Sequence, residues 1–221
     1  QEDKYRRRLV GAAGGWLCFD VTFFGMAIFL PHVVHNVVDK DDEAYGYLLV
    51  TSAVAALINC IAIPAALLSL RLVGDDSLGR KNLQSLSFLC IFTAYVVLAL
   101  AFDALRIMGA TAAVIALFGL LFFALNFGAG MTTYMLPQES FPAEIRSSLN
   151  GFAAAAGKVG AIIGAICFAP SARMYGLAYT FGACAVFAVV GLILTLVFVP
   201  DMRKEDDGIK VAQVPEVQRR L

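Results

Sequence analysis

The chain has 221 residues, of which 60% are apolar and 15% charged, and its formal net charge is zero. A soluble domain of this length would struggle to hide such a balance, so lipid is the better solvent. Without a cationic surplus nothing points to nucleic acid as a partner, and where the charges sit carries more than their sum.

The charges are segregated. Residues 112–136 contain no Asp, Glu, Lys or Arg, a run longer than the roughly 20 residues that cross ~30 Å of hydrocarbon. Apolar length read against helix breakers predicts six spans near 9–30, 45–72, 83–102, 107–136, 147–170 and 174–199. Residues 1–8 then read as a basic cytoplasmic linker, 9–199 as a six-span transmembrane domain and 200–221 as a charged cytoplasmic tail. Of the 17 Lys and Arg residues, thirteen fall on one side of these spans and only Lys40, Arg106 and Arg173 on the other. Short cytoplasmic loops carry the excess of positive charge, so both ends are expected in the cytoplasm. The chain opens Gln1-Glu2-Asp3-Lys4 with no initiator Met or signal segment, which reads as a piece of a longer polypeptide.

Span one contains Asp20, eleven residues in from Leu9, a depth of roughly 16 Å at ~1.5 Å per residue. Trp16 and Phe24 stand four residues before and after it, on the same helical face. The indole N–H can donate to a substrate oxygen, although a lone Trp in a span is as readily interfacial or packing, and Phe24 reads as a wall. The following outer loop holds His32, His35, Asp39, Asp41, Asp42 and Glu43. It is read as a solvated acidic loop in preference to a weak cation site, and it lacks a recognised nucleophile motif. In span two, Pro64 predicts a kink, with Asn59 placed to satisfy freed backbone groups or to line a cavity.

Span four places Asn126, Gly128, Gly130, Thr132 and Thr133 in an otherwise apolar run, which predicts a weakened, cavity-facing helix. Span five carries Lys158, eleven residues in from Ser147 and thus at the depth of Asp20. An ion at a span centre costs on the order of 2.5–3.5 kcal/mol, so neither should face lipid. Two readings stand: a structural ion pair that fixes two helices, or a polar substrate cavity. Gly160 and Gly164 give a small-xxx-small spacing that lets a neighbouring backbone approach. The five cysteines, Cys18, Cys60, Cys90, Cys167 and Cys184, all lie in apolar runs and read as packing residues, so neither a disulfide framework nor a metal or cofactor is expected.

Two loops on the cytoplasmic side are denser in signal. Asp76-Ser77-Leu78-Gly79-Arg80-Lys81 resembles the D-R-x-G-R-K motif of the major facilitator superfamily, with Ser77 replacing a basic residue. Glu139, Pro142 and Arg146 resemble its E-x-x-P-x-x-x-R element. The resemblance implies an all-α membrane protein forming the C-terminal half, spans seven to twelve, of that fold. It also implies a charge network that latches helices at the cytoplasmic face, although the cations alone also serve as positive-inside anchors.

Within the superfamily, the stretch from Arg146 and Ser147 through Gly157, Lys158, Gly160 and Ala161 is similar to the R-S-x-x-x-G-x-x-A-A-x-G-K-x-G-A segment of the proton-coupled phosphate transporters of plants and fungi. Trp16 and Asp20 match that family's W-x-x-x-D-x-x-x-Y element, in which Phe24 stands in place of Tyr. Asn126-Phe127-Gly128 matches its N-F-G-P-N-x-T-T, but Gly130 stands where a substrate-contacting Asn is expected.

The resemblance therefore implies proton-coupled symport of phosphate or a related anion at the plasma membrane. Asp20 would carry the proton, Lys158 balance substrate charge and Trp16 orient the substrate. Half of the site would come from an N-terminal six-span partner. A buried anion needs its oxygens satisfied, and the departures at Phe24 and Gly130 remove two such groups. They keep open a sugar, organic ion or other metabolite as cargo. A non-transporting scaffold or receptor, in which Asp20 and Lys158 are purely structural, is the reading from another class.

Overall fold

A computed structural model describes residues 2–35, 44–74 and 78–201. Those residues form eight α-helices and no strand: α1 (Glu2–His35), α2 (Ala44–Cys60), α3 (Ala62–Val73), α4 (Gly79–Ile107), α5 (Thr111–Asn126), α6 (Ala129–Glu139), α7 (Ala143–Tyr175) and α8 (Leu177–Phe198). Six stretches are long and apolar enough to cross a membrane, because α2 with α3 and α5 with α6 each build one span. Helices are what such a sequence must form, since lipid offers no partner to an open backbone N–H or C=O.

The apolar runs extend into helix at several ends. α1 begins at Glu2, so most of the basic stretch expected as a linker continues the helix of span one. Span two breaks at Ile61, three residues before Pro64, and the Asn59 amide donates to Ala55 O at 2.8 Å. Proline has no N–H for the carbonyl four residues back, which is why the interruption falls just ahead of it. Asp39, Asp41, Asp42 and Glu43 of the outer loop, the side chains of His32 and His35, and Asp76 lie outside what the structure describes.

α1 is the most enclosed span. Its largest interface is with α7, followed by α8, and both rest on glycine. A Cβ on Gly160 would strike Leu17 O, and one on Gly164 would stand 2.5 Å from Val21 O, so the two backbones touch where the small-xxx-small spacing predicts. α4 packs on α8 in the same manner: the Phe88 ring fills the space a side chain at Gly191 would need.

Towards the other end, Phe181 of α8 centres an aromatic cluster, with Phe102 at 5.5 Å and 77°, Phe118 at 6.0 Å and Phe168 at 6.3 Å. Aromatic edges meet aromatic faces there, the arrangement that ring quadrupoles favour. Outward, large apolar side chains such as Leu57, Leu100, Ile166 and Val186 are exposed, as a lipid-facing surface requires.

Span four breaks completely. Phe127 is extended and Gly128 takes φ +69°, ψ −77°, a conformation that excludes a Cβ on steric grounds. Two buried serines satisfy the freed backbone. Gly128 N–H donates to Ser69 Oγ of α3 at 2.7 Å, and Ala129 N–H donates to Ser87 Oγ of α4 at 2.9 Å. Ser87 Oγ in turn donates to Phe127 O. The weakened helix expected here is thus a hinge-like break sealed by its neighbours.

Candidate functional site

Asp20 sits in the middle of α1 and is 1% exposed. Its Oδ2 has no hydrogen-bond partner, and neither has Nε1 of buried Trp16, one turn earlier. The indole neighbours the carboxyl without meeting hydrogen-bond geometry. Two adjacent polar groups are therefore withdrawn from water and left unsatisfied, a state that costs roughly 1–3 kcal/mol per group. Buried polar groups without partners are few in folded proteins, so the pair marks the place in the bundle to explain.

The indole is clamped on both sides. Tyr134 of α6 meets it edge to face, ring centroids 4.6 Å apart at 65°. On the other side lies Gly157 of α7, where an added Cβ would stand 2.5 Å from Trp16 Cδ1 and 2.6 Å from Nε1. Sequence reading missed both neighbours. Tyr134 lies near a span end and resembles an interfacial aromatic, whereas Gly157 carried a signal in its place beside Lys158.

No ion pair joins Asp20 to Lys158 among the described residues. Lys158 is the charge whose field reaches Asp20, yet its Nζ lies 5.7 Å from the centroid of the Phe24 ring. The ring face, negative by its quadrupole, holds the ammonium at that distance. Phe24, where a phenol was expected, is thereby a seat for the cation. Lys158 itself is exposed on this six-span body while Asp20 is buried.

The other residues expected at the substrate site are mostly engaged. The Asn126 amide donates to Phe122 O at 2.9 Å, and the Thr132 and Thr133 hydroxyls donate to Gly128 O and Ala129 O at 3.1 and 2.8 Å. Gly130 is half-buried; a Cβ there would lie 3.2 Å from Leu125 O and 3.8 Å from Phe19 Cζ.

At the end of the bundle where the chain begins, α4 is tied to α6 and to α8. Arg80 Nε and Glu139 Oε2 form an ion pair at 2.6 Å, with the N–H pointing away from ideal hydrogen-bond geometry. Gly79, just before Arg80, takes φ +71°, which turns the chain into α4. Lys81 Nζ donates to Leu196 O near the end of α8 at 2.9 Å, and Arg146 Nε donates to Phe141 O at 3.0 Å. Pro142 is the N-cap residue of α7, its φ of −64° suited to helix entry. Arg8, in the stretch read from the sequence as a basic linker, donates to Ser140 O just past the end of α6 at 2.8 Å. Arg80 at the start of α4 and Glu139 at the end of α6 are thus brought together, while Lys81 and Arg146 bind backbone.

Residues 1–206 match the profile of the family described as "Sugar (and other) transporter". The chain belongs to that family of the major facilitator superfamily. Among curated relatives, the chain is 29% identical to glycerophosphoinositol permease 1 of Candida albicans over 91% of its own length and 38% of the relative. It is 29% identical to the probable inorganic phosphate transporter 1-10 of Oryza sativa subsp. japonica, over 90% of this chain and 38% of the relative. It is 33% identical to the inorganic phosphate transporter PHO84 of Saccharomyces cerevisiae, over 72% of this chain and 27% of the relative. The chain therefore spans less than two fifths of the length of these relatives. Its six helices long and apolar enough to cross a membrane agree with an integral multi-pass membrane protein of that family.

Proposed function

We propose that this chain is the C-terminal half of a proton-coupled symporter for inorganic phosphate or a related oxyanion, working by alternating access at the plasma membrane with both ends in the cytoplasm. One observation carries the reading: Asp20 Oδ2 and Trp16 Nε1 are buried without partners, beside the cation seated on Phe24. A carboxyl in that position takes a proton when its surroundings dry and releases it when water returns. Lys158, exposed on this half, meets the anion in the space facing the N-terminal half, and the indole N–H orients it.

Arg80 and Glu139 act as the cytoplasmic latch. An ion pair of this exposure contributes little to folding, yet it biases a two-state element when it forms in only one state.

Phe24 and Gly130 favour a second reading for the cargo. Neither offers a hydrogen bond, so the site also suits a phosphate carrying an organic group, which needs fewer donors and more apolar wall. The name of the Candida albicans relative, glycerophosphoinositol permease 1, belongs to such a class.

Uptake of labelled phosphate into proteoliposomes containing the full-length transporter, under an imposed inward proton gradient, tests the proposal. Uptake is expected to be lost in Lys158→Gln and outcompeted by the true cargo. Unchanged uptake in Lys158→Gln contradicts the role given to the cation. Uptake of no phosphate compound by the unaltered protein contradicts the phosphate reading, and uptake of no cargo in a panel of sugars, organic ions and metabolites favours a scaffold.

A further inference from the structure

The end of the bundle opposite the termini holds a cavity of about 590 Å³ between α1, α4, α7 and α8. Its floor is apolar, with Phe29 and Phe168 stacked at 5.4 Å and 11° beside Phe102. Arg106 of α4 and Arg173 of α7 line it, and so does Asp103.

These two arginines are the exceptions in the charge distribution. Among the described residues they are the cations at that end, from helices far apart in sequence, and both line one cavity. Chance anchoring would scatter them around the rim.

Neither guanidinium takes part in an ion pair or hydrogen bond among the described residues, even with Asp103 one turn from Arg106. Each stands in the last turn of its helix, where a cation also offsets the dipole. That would account for a charge but not for the shared cavity. The N-terminus of the 22-residue α8 also opens there through Gly176 and Leu177, and no side chain caps it. Two forked cations and the N-terminal turn of α8 thus line one cavity, against a single carboxylate.

We propose that Arg106 and Arg173 form a second oxyanion site, distinct from Asp20 and Lys158, which takes a phosphate or carboxylate group while Phe29, Phe102 and Phe168 contact its apolar part. The group arrives either on a free anion from the outer solution or on the headgroup of an anionic lipid. The outward placement rests on the charge asymmetry of the spans; the site itself rests on the cavity.

The test uses full-length transporter carrying Lys158→Gln, so that the midplane site is silenced. One arm holds it in phosphatidylcholine nanodiscs and measures binding of labelled inorganic phosphate. The other replaces phosphate with phosphatidylglycerol in the disc and counts lipids retained after delipidation. Binding is expected in at least one arm and should weaken about tenfold in Arg106→Gln and in Arg173→Gln, the loss of one charged hydrogen-bonding partner. Should a Gln variant fail to fold, Arg106→Lys and Arg173→Lys keep the charge but not the fork, and a smaller loss is expected. Weakening in the phosphate arm assigns a free anion, and in the lipid arm a headgroup. Folded variants that bind as the parent does in both arms overturn the proposal, as does absence of binding in both. Neither result bears on uptake through Asp20.

Discussion

The Trp16 indole rests directly on the backbone of Gly157, so closely that a Cβ there would stand 2.5 Å from Cδ1. The residue before the intramembrane lysine is therefore the surface that positions the intramembrane indole.

Gly157→Ala must push Trp16 out of its place or part α1 from α7. Overpacking of this kind costs ~1–3 kcal/mol. The substituted transporter should melt lower and lose most of its substrate affinity, while Gly151→Ala, where a Cβ meets nothing, changes neither. Thermal melting in detergent with and without substrate checks both effects.

Tyr134 supplies the opposite side of the clamp through its ring. Phe at this position preserves an edge-to-face contact worth ~0.5–1.5 kcal/mol, and Ala removes it. Tyr134→Ala should raise the KM for uptake several-fold. If Tyr134→Phe raises it equally, the hydroxyl and not the ring is what the site uses.

Ser87 serves two backbone groups at the span-four break, accepting from Ala129 N–H and donating to Phe127 O. Ser87→Ala removes both bonds and leaves Ala129 N–H and Phe127 O their contact with each other at 2.8 Å, a loss of ~1–3 kcal/mol. Thr133→Val removes a hydroxyl that donates only to Ala129 O within its own helix, and should cost far less. Unfolding of the two variants in parallel checks the order.

The Arg80–Glu139 pair joins the start of α4 to the end of α6, with side chains 35% and 31% exposed. Its contribution to folding is small, ~0.2–1 kcal/mol, so Glu139→Gln should hardly shift the melting temperature. Uptake should nevertheless fall several-fold if the pair biases one access state. Exchanging the charges, Arg80→Glu with Glu139→Arg, should recover part of it.

Much of this architecture was legible in the sequence because lipid imposes it. A charge-free run such as residues 112–136 has few alternatives to a span, and a carboxylate at the depth of Asp20 demands an explanation. The glycines at 160 and 164 announced a close backbone crossing by spacing, though not that its partner is α1. What stayed hidden depends on partners distant in the chain. Ser69 and Gly128 are 59 residues apart, and nothing near either predicts their bond. Lys158 was expected towards Asp20; that it lies over Phe24 follows from ring electrostatics across two helices. Phe24 read as a lost phenol, whereas in three dimensions it is a support.

The central claim is that Asp20 carries the proton that drives the cargo. Asn copies the protonated carboxyl in shape and charge, so Asp20→Asn separates coupling from passage. The decisive measurement compares, in proteoliposomes of the full-length transporter, concentrative phosphate uptake under a proton gradient with phosphate exchange at equal pH. Asp20→Asn is expected to abolish the first and retain the second. Concentrative, proton-driven uptake that survives Asp20→Asn would contradict it.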